Sequence, residues 1–187
     1  EKGGYDKIFI RTIEEKLECW KEREYISVNM GVPKFDPKSI PLAKDIKENQ
    51  FELEGYKINC VSFGNPHGVI FFDNIEELEK VNILNIGPKL EKNSVFLEGA
   101  NIEFATILSD GSIRMKVWER GAGLTLACGT GACASVIAAI HREYCKNTVE
   151  VNLPGGMLSI YVNEKEEIFM TGPAEFSFYG EFSFEQD

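Results

Sequence analysis

Residues 118–134 read WERGAGLTLACGTGACA, and the fold follows from what this stretch has to become. A strand ends in an acid-base pair, Glu119-Arg120. Two glycines, Gly121 and Gly123, follow as hinge positions. A single thiol, Cys128, then stands directly before a short and very apolar helix predicted over residues 131–144. The first amides of a helix lack intrahelical partners, and the aligned peptide dipoles add partial positive charge there. A thiol at that end is therefore biased toward thiolate. The amides of Gly129, Thr130 and Gly131 can also hold a carboxylate, and glycine lets a ligand approach the main chain without meeting a Cβ. Cys128 is thus expected to be a proton-transferring or nucleophilic thiol beside an anion cradle.

Around this stretch lies a chain of 187 residues, enough for one good core or two small ones. Hydrophobic residues at 43% and charged residues at 27% fit a soluble globular protein. A net charge of −10 with no dense Lys/Arg cluster argues against nucleic-acid binding. The longest apolar run, 132–140, is well short of the roughly 20 residues that span a bilayer, so no membrane partner is expected. Five cysteines without a C-x-x-C pair suggest neither a disulfide framework nor a zinc site; a reducing cytoplasm is the expected setting.

Alternating or buried apolar patterns predict strands over 7–13 and 23–29, paired across 14–21, then over 51–58, 59–63 and 69–72. Prolines 33, 37 and 41 mark an irregular connection. Asp73-Asn74 can cap a helix over 75–81, and a second short helix is predicted over 83–90. Strands follow over 94–97, 102–108 and 113–118, the last two joined by the turn Ser109-Asp110-Gly111-Ser112. Beyond the central helix come 149–153, 157–162, 168–171 and 175–184. Many strands against few helices, one of them apolar nearly all round, predict an α+β fold in which a curved sheet wraps a helix.

Several residues carry candidate chemistry. His67 sits in the loop Gly64-Asn65-Pro66-His67-Gly68 and can orient or tune a thiol. Arg120 can clamp a carboxylate with its guanidinium fork. Asn65 and Asn101 each offer a donor and an acceptor, as an amino acid's two ends require. The string Gly129-Thr130-Gly131-Ala132-Cys133-Ala134 formally fits a dinucleotide fingerprint with Glu150 beyond it, but strands and turns follow where further strand-helix units are needed. Cys19, Cys60, Cys133, Cys145 and His141 read as core or surface residues.

Together these strings resemble diaminopimelate epimerase. Trp118-Glu119-Arg120-Gly121-Ala122-Gly123 with Ala127-Cys128-Gly129-Thr130-Gly131-Ala132 is similar to the family's second catalytic segment. Gly64-Asn65-Pro66-His67, Asn101-Ile102-Glu103-Phe104, Val28-Asn29-Met30-Gly31-Val32-Pro33 and Thr171-Gly172-Pro173-Ala174 match in the expected order. The resemblance implies a cofactor-independent isomerase with two pseudo-symmetric domains, interconverting LL- and meso-diaminopimelate for lysine and cell-wall precursor synthesis. Two cysteines on opposite faces of the α-carbon would exchange its proton without pyridoxal phosphate. Cys128 would be one of them, with His67 and Glu119 tuning the thiols. Asn65, Asn101, Glu119, Arg120, Gly129 and Thr130 would bind substrate. A homodimer is compatible with this reading.

The family's other thiol lies in a Cys-Gly-Asn-Gly string that this sequence does not contain. The expectation is therefore a carboxy-terminal part of a longer enzyme: residues 1–26 the remnant of a first domain, 27–173 the second domain, and 174–187 a terminal strand returning to the first. The alternatives are a proline-racemase-like or phenazine-biosynthesis-like isomerase, a Cys/His hydrolase or transferase with Cys128 as nucleophile, and a non-catalytic binding module.

Overall fold

The computed structural model describes residues 7–12, 16–181 and 183. Twelve strands form one mixed sheet: β1 (Lys7–Arg11), β2 (Lys16–Glu22), β3 (Tyr25–Asn29), β4 (Gln50–Leu53), β5 (Tyr56–Ser62), β6 (Pro66–Phe72), β7 (Asn101–Ile107), β8 (Ile113–Glu119), β9 (Gly123–Thr125), β10 (Thr148–Leu153), β11 (Gly156–Val162) and β12 (Ile168–Pro173). Three helices accompany it: α1 (Ile75–Lys80), α2 (Ile83–Glu91) and α3 (Gly129–His141). The sheet order is β1-β2-β3-β12-β11-β10-β8-β7-β6-β5-β4, with β9 paired to β8 off that path. Two pairs are parallel, β6 with β7 and β8 with β10. Parallel neighbours need a crossover; α1 and α2 supply the first and α3 the second.

The expected sheet around a helix is what the chain builds. Helix α3 packs against β5, β6, β7, β8, β10, β11 and β12. Every residue from Gly131 to Ala139 is buried, so its apolar circumference has no solvent face to supply. Burial of Val136 and Ile137 contributes about 1.5–3 kcal/mol each. Alanines 132, 134, 138 and 139 keep the helix thin enough for the sheet to close on it. The opposite face of β5–β7 carries a second core, with Ile58, Ile70, Ile102 and Phe104 under α1 and α2. Strands β6 and β7 are therefore covered on both sides, and alternate residues belong to different cores. That parity directs His67, Val69, Glu103 and Ala105 toward α3.

The sheet departs from the sequence reading at several places. Residues 16–22, read as a connection, form β2, which pairs with both β1 and β3. Its turn, Arg23-Glu24, places Arg23 at φ 57° without a glycine to announce it. The single strand expected over 51–58 is a hairpin, turned at Glu54-Gly55, both in the left-handed region. Residues 94–97 make turns with one bridge, Leu42 to Phe96; Phe96 is buried in the core and Val95 packs against it, while Ser94 and Leu97 are exposed. Strand β9 was not expected. Helix α3 spans 129–141 rather than 131–144: Glu143 turns to φ 59° and the Tyr144 N–H closes on Ala139 O at 2.9 Å. The strand expected over 174–187 is not formed in its described part, where Phe176, Phe178 and Tyr179 lie exposed without a paired neighbour; the remainder lies outside the described residues. The expected boundary between 26 and 27 falls within β3, which continues the sheet through β12.

Candidate active site at the start of the central helix

Cys128 is the N-cap of α3. Its backbone is extended (φ −141°, ψ 111°), and its Sγ accepts from the Gly131 N–H at 3.4 Å. The first intrahelical bond runs from Ala132 N–H to Cys128 O; the Gly129 and Thr130 amides precede it and are among the helix-start donors with no partner inside the helix. The Thr130 hydroxyl accepts from Asn65 Nδ2 at 3.2 Å, which frees its hydrogen for Cys128 Sγ at 3.5 Å. Asn65, Thr130 and Cys128 thus form one chain of contacts. Asn65 and Thr130 line a cleft of about 210 Å³ closed by Thr12, Leu17, Met30, Phe63 and Gly64.

Beneath the helix start lies a fully buried pair. His67 Nδ1 and Glu103 Oε1 are 2.7 Å apart, and both side chains are at 0% exposure. Phe63 meets the imidazole edge-on at 6.4 Å between ring centres. The pair fits because residue 131 is glycine: a Cβ there would lie 2.7 Å from Glu103 Oε1 and 3.3 Å from Cys128 Sγ. His67 Nε2 and Glu103 Oε2 are buried without hydrogen-bond partners among the described residues. Burial pushes the Glu103 carboxyl up, against the opposing attraction of His67.

The thiol does not follow the expectation from the helix start alone. Burial first, then the negative charge of Glu103, raise Cys128 to about 11; the Thr130 and Gly131 hydrogen bonds pull it down by less, and Glu119 adds to the rise. Desolvation and the two carboxylates outweigh these hydrogen bonds and favour the protonated thiol. Cys60 and Cys133 are buried, with thiols raised by desolvation. Cys145 is raised to about 11 by burial, and Cys19 is raised too.

Glu119 and Arg120 end β8 and enter the turn to β9. Glu119 Oε1 accepts from the Thr125 hydroxyl across that turn. The Arg120 guanidinium donates to Glu98 O at 3.1 Å and lies 3.9 Å from the Glu98 carboxylate, with its side chain one-third exposed. Asn101 has already used both ends of its amide: Nδ2 donates to Pro66 O at 3.1 Å, and Oδ1 accepts from the Arg120 N–H at 2.9 Å. It ties the His67 strand to the Arg120 turn.

Two carboxylates that sequence reasoning did not single out shape this site. Glu103 is one. Glu91, at the end of α2, is the other: Oε2 accepts from Trp118 Nε1 at 2.7 Å and Oε1 from the Gly121 N–H at 2.9 Å. Trp118 lies flat on Gly87, where a Cβ would come within 2.5 Å of the indole. The available signal for Glu103 was an acid inside the apolar run of β7; for Glu91 there was none.

The diaminopimelate epimerase family model matches residues 59–177. Among curated relatives, diaminopimelate epimerase of Halothermothrix orenii is 44% identical over 85% of this chain and 57% of its own length. That of Trichodesmium erythraeum is 44% identical over 83% and 58%. The chain thus spans somewhat over half the length of these relatives. Among solved structures, a predicted epimerase from Pseudomonas aeruginosa shares the fold at TM-score 0.61 and 16% identity, over 92% of this chain and 65% of that one. A hydroxyproline epimerase from Agrobacterium vitis does so at TM-score 0.57 and 11% identity, over 92% and 59%. With a family match over residues 59–177 that takes in His67, Glu103, Glu119 and Cys128, the chain belongs to the diaminopimelate epimerase family.

Proposed function

We propose that this chain carries one half of a two-thiol epimerase site that inverts the α-carbon of diaminopimelate, with Cys128 as the proton donor to one face. The observation that carries the reading is the placement of Cys128: a protonated thiol at the start of α3, beside helix-start amides and two carboxylates. A base on the opposite face takes the α-proton. The electron pair left on carbon is delocalised into the substrate carboxylate, where the Gly129 and Thr130 amides stabilise the growing charge. Cys128 then delivers its proton from its own face and becomes the thiolate, so the reverse turn of the cycle begins with Cys128 as base. Because both steps run through side chains, the mechanism needs no cofactor. One base on one face exchanges a proton but does not efficiently invert the centre; the second thiol is assigned to a Cys-Gly segment outside this chain's sequence.

Asn65 and Thr130, joined to each other and bordering the cleft, are the proposed holders of the substrate's reacting end. Glu119 and Arg120 are proposed to bind its far amino-acid end once Arg120 leaves Glu98. Asn101 acts by holding Arg120 and Pro66 in place. A Cys/His nucleophile is disfavoured by the same geometry. Among the described residues Cys128 Sγ contacts the Gly131 N–H and the Thr130 hydroxyl, and His67 Nε2 has no hydrogen-bond partner, so no hydrogen bond joins the thiol to the imidazole. The test is to incubate the full-length protein with LL-diaminopimelate, meso-diaminopimelate or proline in deuterated water and follow the α-proton by NMR. Exchange with inversion of diaminopimelate alone is expected; exchange of proline alone would overturn the substrate assignment.

A further inference from the structure

We propose that Glu103 is a positioning residue: seated in the space that Gly131 leaves open, its carboxylate holds His67 Nδ1–H and so leaves Nε2 as the bare, proton-accepting nitrogen of the site. The inference deepens the epimerase reading and rests on it. Three observations carry it. The 2.7 Å contact joins two side chains that are both at 0% exposure, so water does not compete for either. A side chain at residue 131 would collide with Glu103 Oε1, which makes the glycine of the helix start a seat for this carboxylate as well as a cap position. Finally, Nε2 is buried and unpartnered among the described residues. A buried polar nitrogen without a partner costs stability. Its retention on β6, the strand that packs directly against the thiol helix, fits a group kept free for proton transfer.

An ionised Glu103 accepts from Nδ1–H, and the attraction of His67 opposes the rise that burial imposes on its carboxyl. The hydrogen bond at one ring nitrogen determines the state of the other. With Nδ1 donating to Glu103, Nε2 presents a lone pair. The first turn of α3 sits over the carboxylate, and its dipole favours negative charge there. Phe63 meets the ring in a T-shaped contact. Without Glu103 the ring would be free to flip or to protonate at Nε2, and the acceptor would be lost.

These 187 residues contain two histidines, His67 and His141, and the His67 signals are identified by their loss in a His67→Gln variant of the full-length protein. Long-range nitrogen–proton correlation spectra of isotope-labelled histidine, recorded near neutral pH, report the tautomer. The expected wild-type spectrum shows His67 protonated at Nδ1 and bare at Nε2. Glu103→Met, which keeps length and removes the acceptor, is expected to shift the ring toward Nε2–H. It should also lower kcat for α-proton exchange about tenfold to a hundredfold with KM nearly unchanged. Glu103→Gln retains a carbonyl acceptor and should recover part of both. A wild-type ring protonated at Nε2, or a Glu103→Met protein with unchanged kcat, would overturn the proposal. If the methionine variant does not fold, the wild-type spectrum decides alone. A wild-type protein with the Nδ1–H ring and no exchange on diaminopimelate would instead remove the epimerase reading and leave the tautomer standing.

Discussion

Gly131→Ala is the most informative single change, because helix propensity and tertiary packing give it opposite signs. In an open helix, replacing glycine by alanine stabilises by about 1 kcal/mol. Here the added methyl would lie 2.7 Å from Glu103 Oε1 and 3.3 Å from both Cβ and Sγ of Cys128. Glu103 cannot swing away into water, since it is buried on all sides and bonded to His67. Overpacking of this kind costs about 1–3 kcal/mol. If the carboxylate yields, a buried imidazole N–H loses its partner at a further cost of about 1–3 kcal/mol. After the propensity gain, the net expectation with both costs is a loss of about 1–5 kcal/mol. For a chain of this size that is a fall in Tm of about 2–20 °C. The assay is reversible unfolding by urea and by heat, followed by circular dichroism. The same substitution in a Glu103→Ala background should cost at least about 1 kcal/mol less, because the colliding atom is gone. A Gly131→Ala protein as stable as the parent or more so, or one with the same penalty in both backgrounds, would refute the seating of Glu103 against the helix start.

Other expectations follow from the same geometry. The ultraviolet thiolate absorbance that disappears in Cys128→Ser should titrate near 11; a wave at or below neutrality would show that the helix start prevails over burial and charge. Replacing Glu103 by Gln should move that wave to lower pH, since the carboxylate's charge helps to raise it. Folded-state thiol pKa values above the ordinary 9.0 mean that the unfolded chain loses these protons first. The stability contributed by Cys60, Cys128 and Cys133 is therefore complete below pH 9 and is lost as pH rises beyond it, for Cys128 through about 11. Urea midpoints measured on either side of pH 9 check this, and a midpoint that rises across the interval would contradict it. Glu91→Ala should cost about 1–3 kcal/mol by stranding two donors, and should shift Trp118 fluorescence toward that of a hydrated indole; an unchanged spectrum would dismiss Glu91 as the anchor of the Glu119-Arg120 turn.

What was legible in the sequence was mostly local. The glycine spacing of residues 118–134, the apolar circumference of α3 and the Asp110-Gly111 turn each depend on near neighbours, and each is found in the structure. Turns without glycine were hidden: Arg23 and Glu143 adopt positive φ where no glycine marks the turn. The His67–Glu103 pair was hidden for a different reason. Strands covered on both faces read as unbroken apolar runs, so parity cannot be assigned before the partner layers are known. The two residues meet only because β6 and β7 pair in parallel across a helical crossover. The environment of the thiol is not legible in the sequence, because a helix-start argument counts the nearest amides, whereas burial and a carboxylate 25 positions earlier in the chain push Cys128 up. Asn101 is expected to bind substrate both from its chemistry and from the resemblance; that its amide also bonds Pro66 O and the Arg120 N–H depends on the pairing of distant strands and is not legible in the sequence.

The central claim is that Cys128 protonates one face of the substrate α-carbon. Its most direct measurement is stereospecific deuterium incorporation by the full-length Cys128→Ser protein, starting separately from LL- and meso-diaminopimelate in deuterated water. The account predicts that inversion is lost from both directions while the fold, monitored by circular dichroism, is retained. A Cys128→Ser protein that still inverts the α-carbon at the parent rate would contradict it.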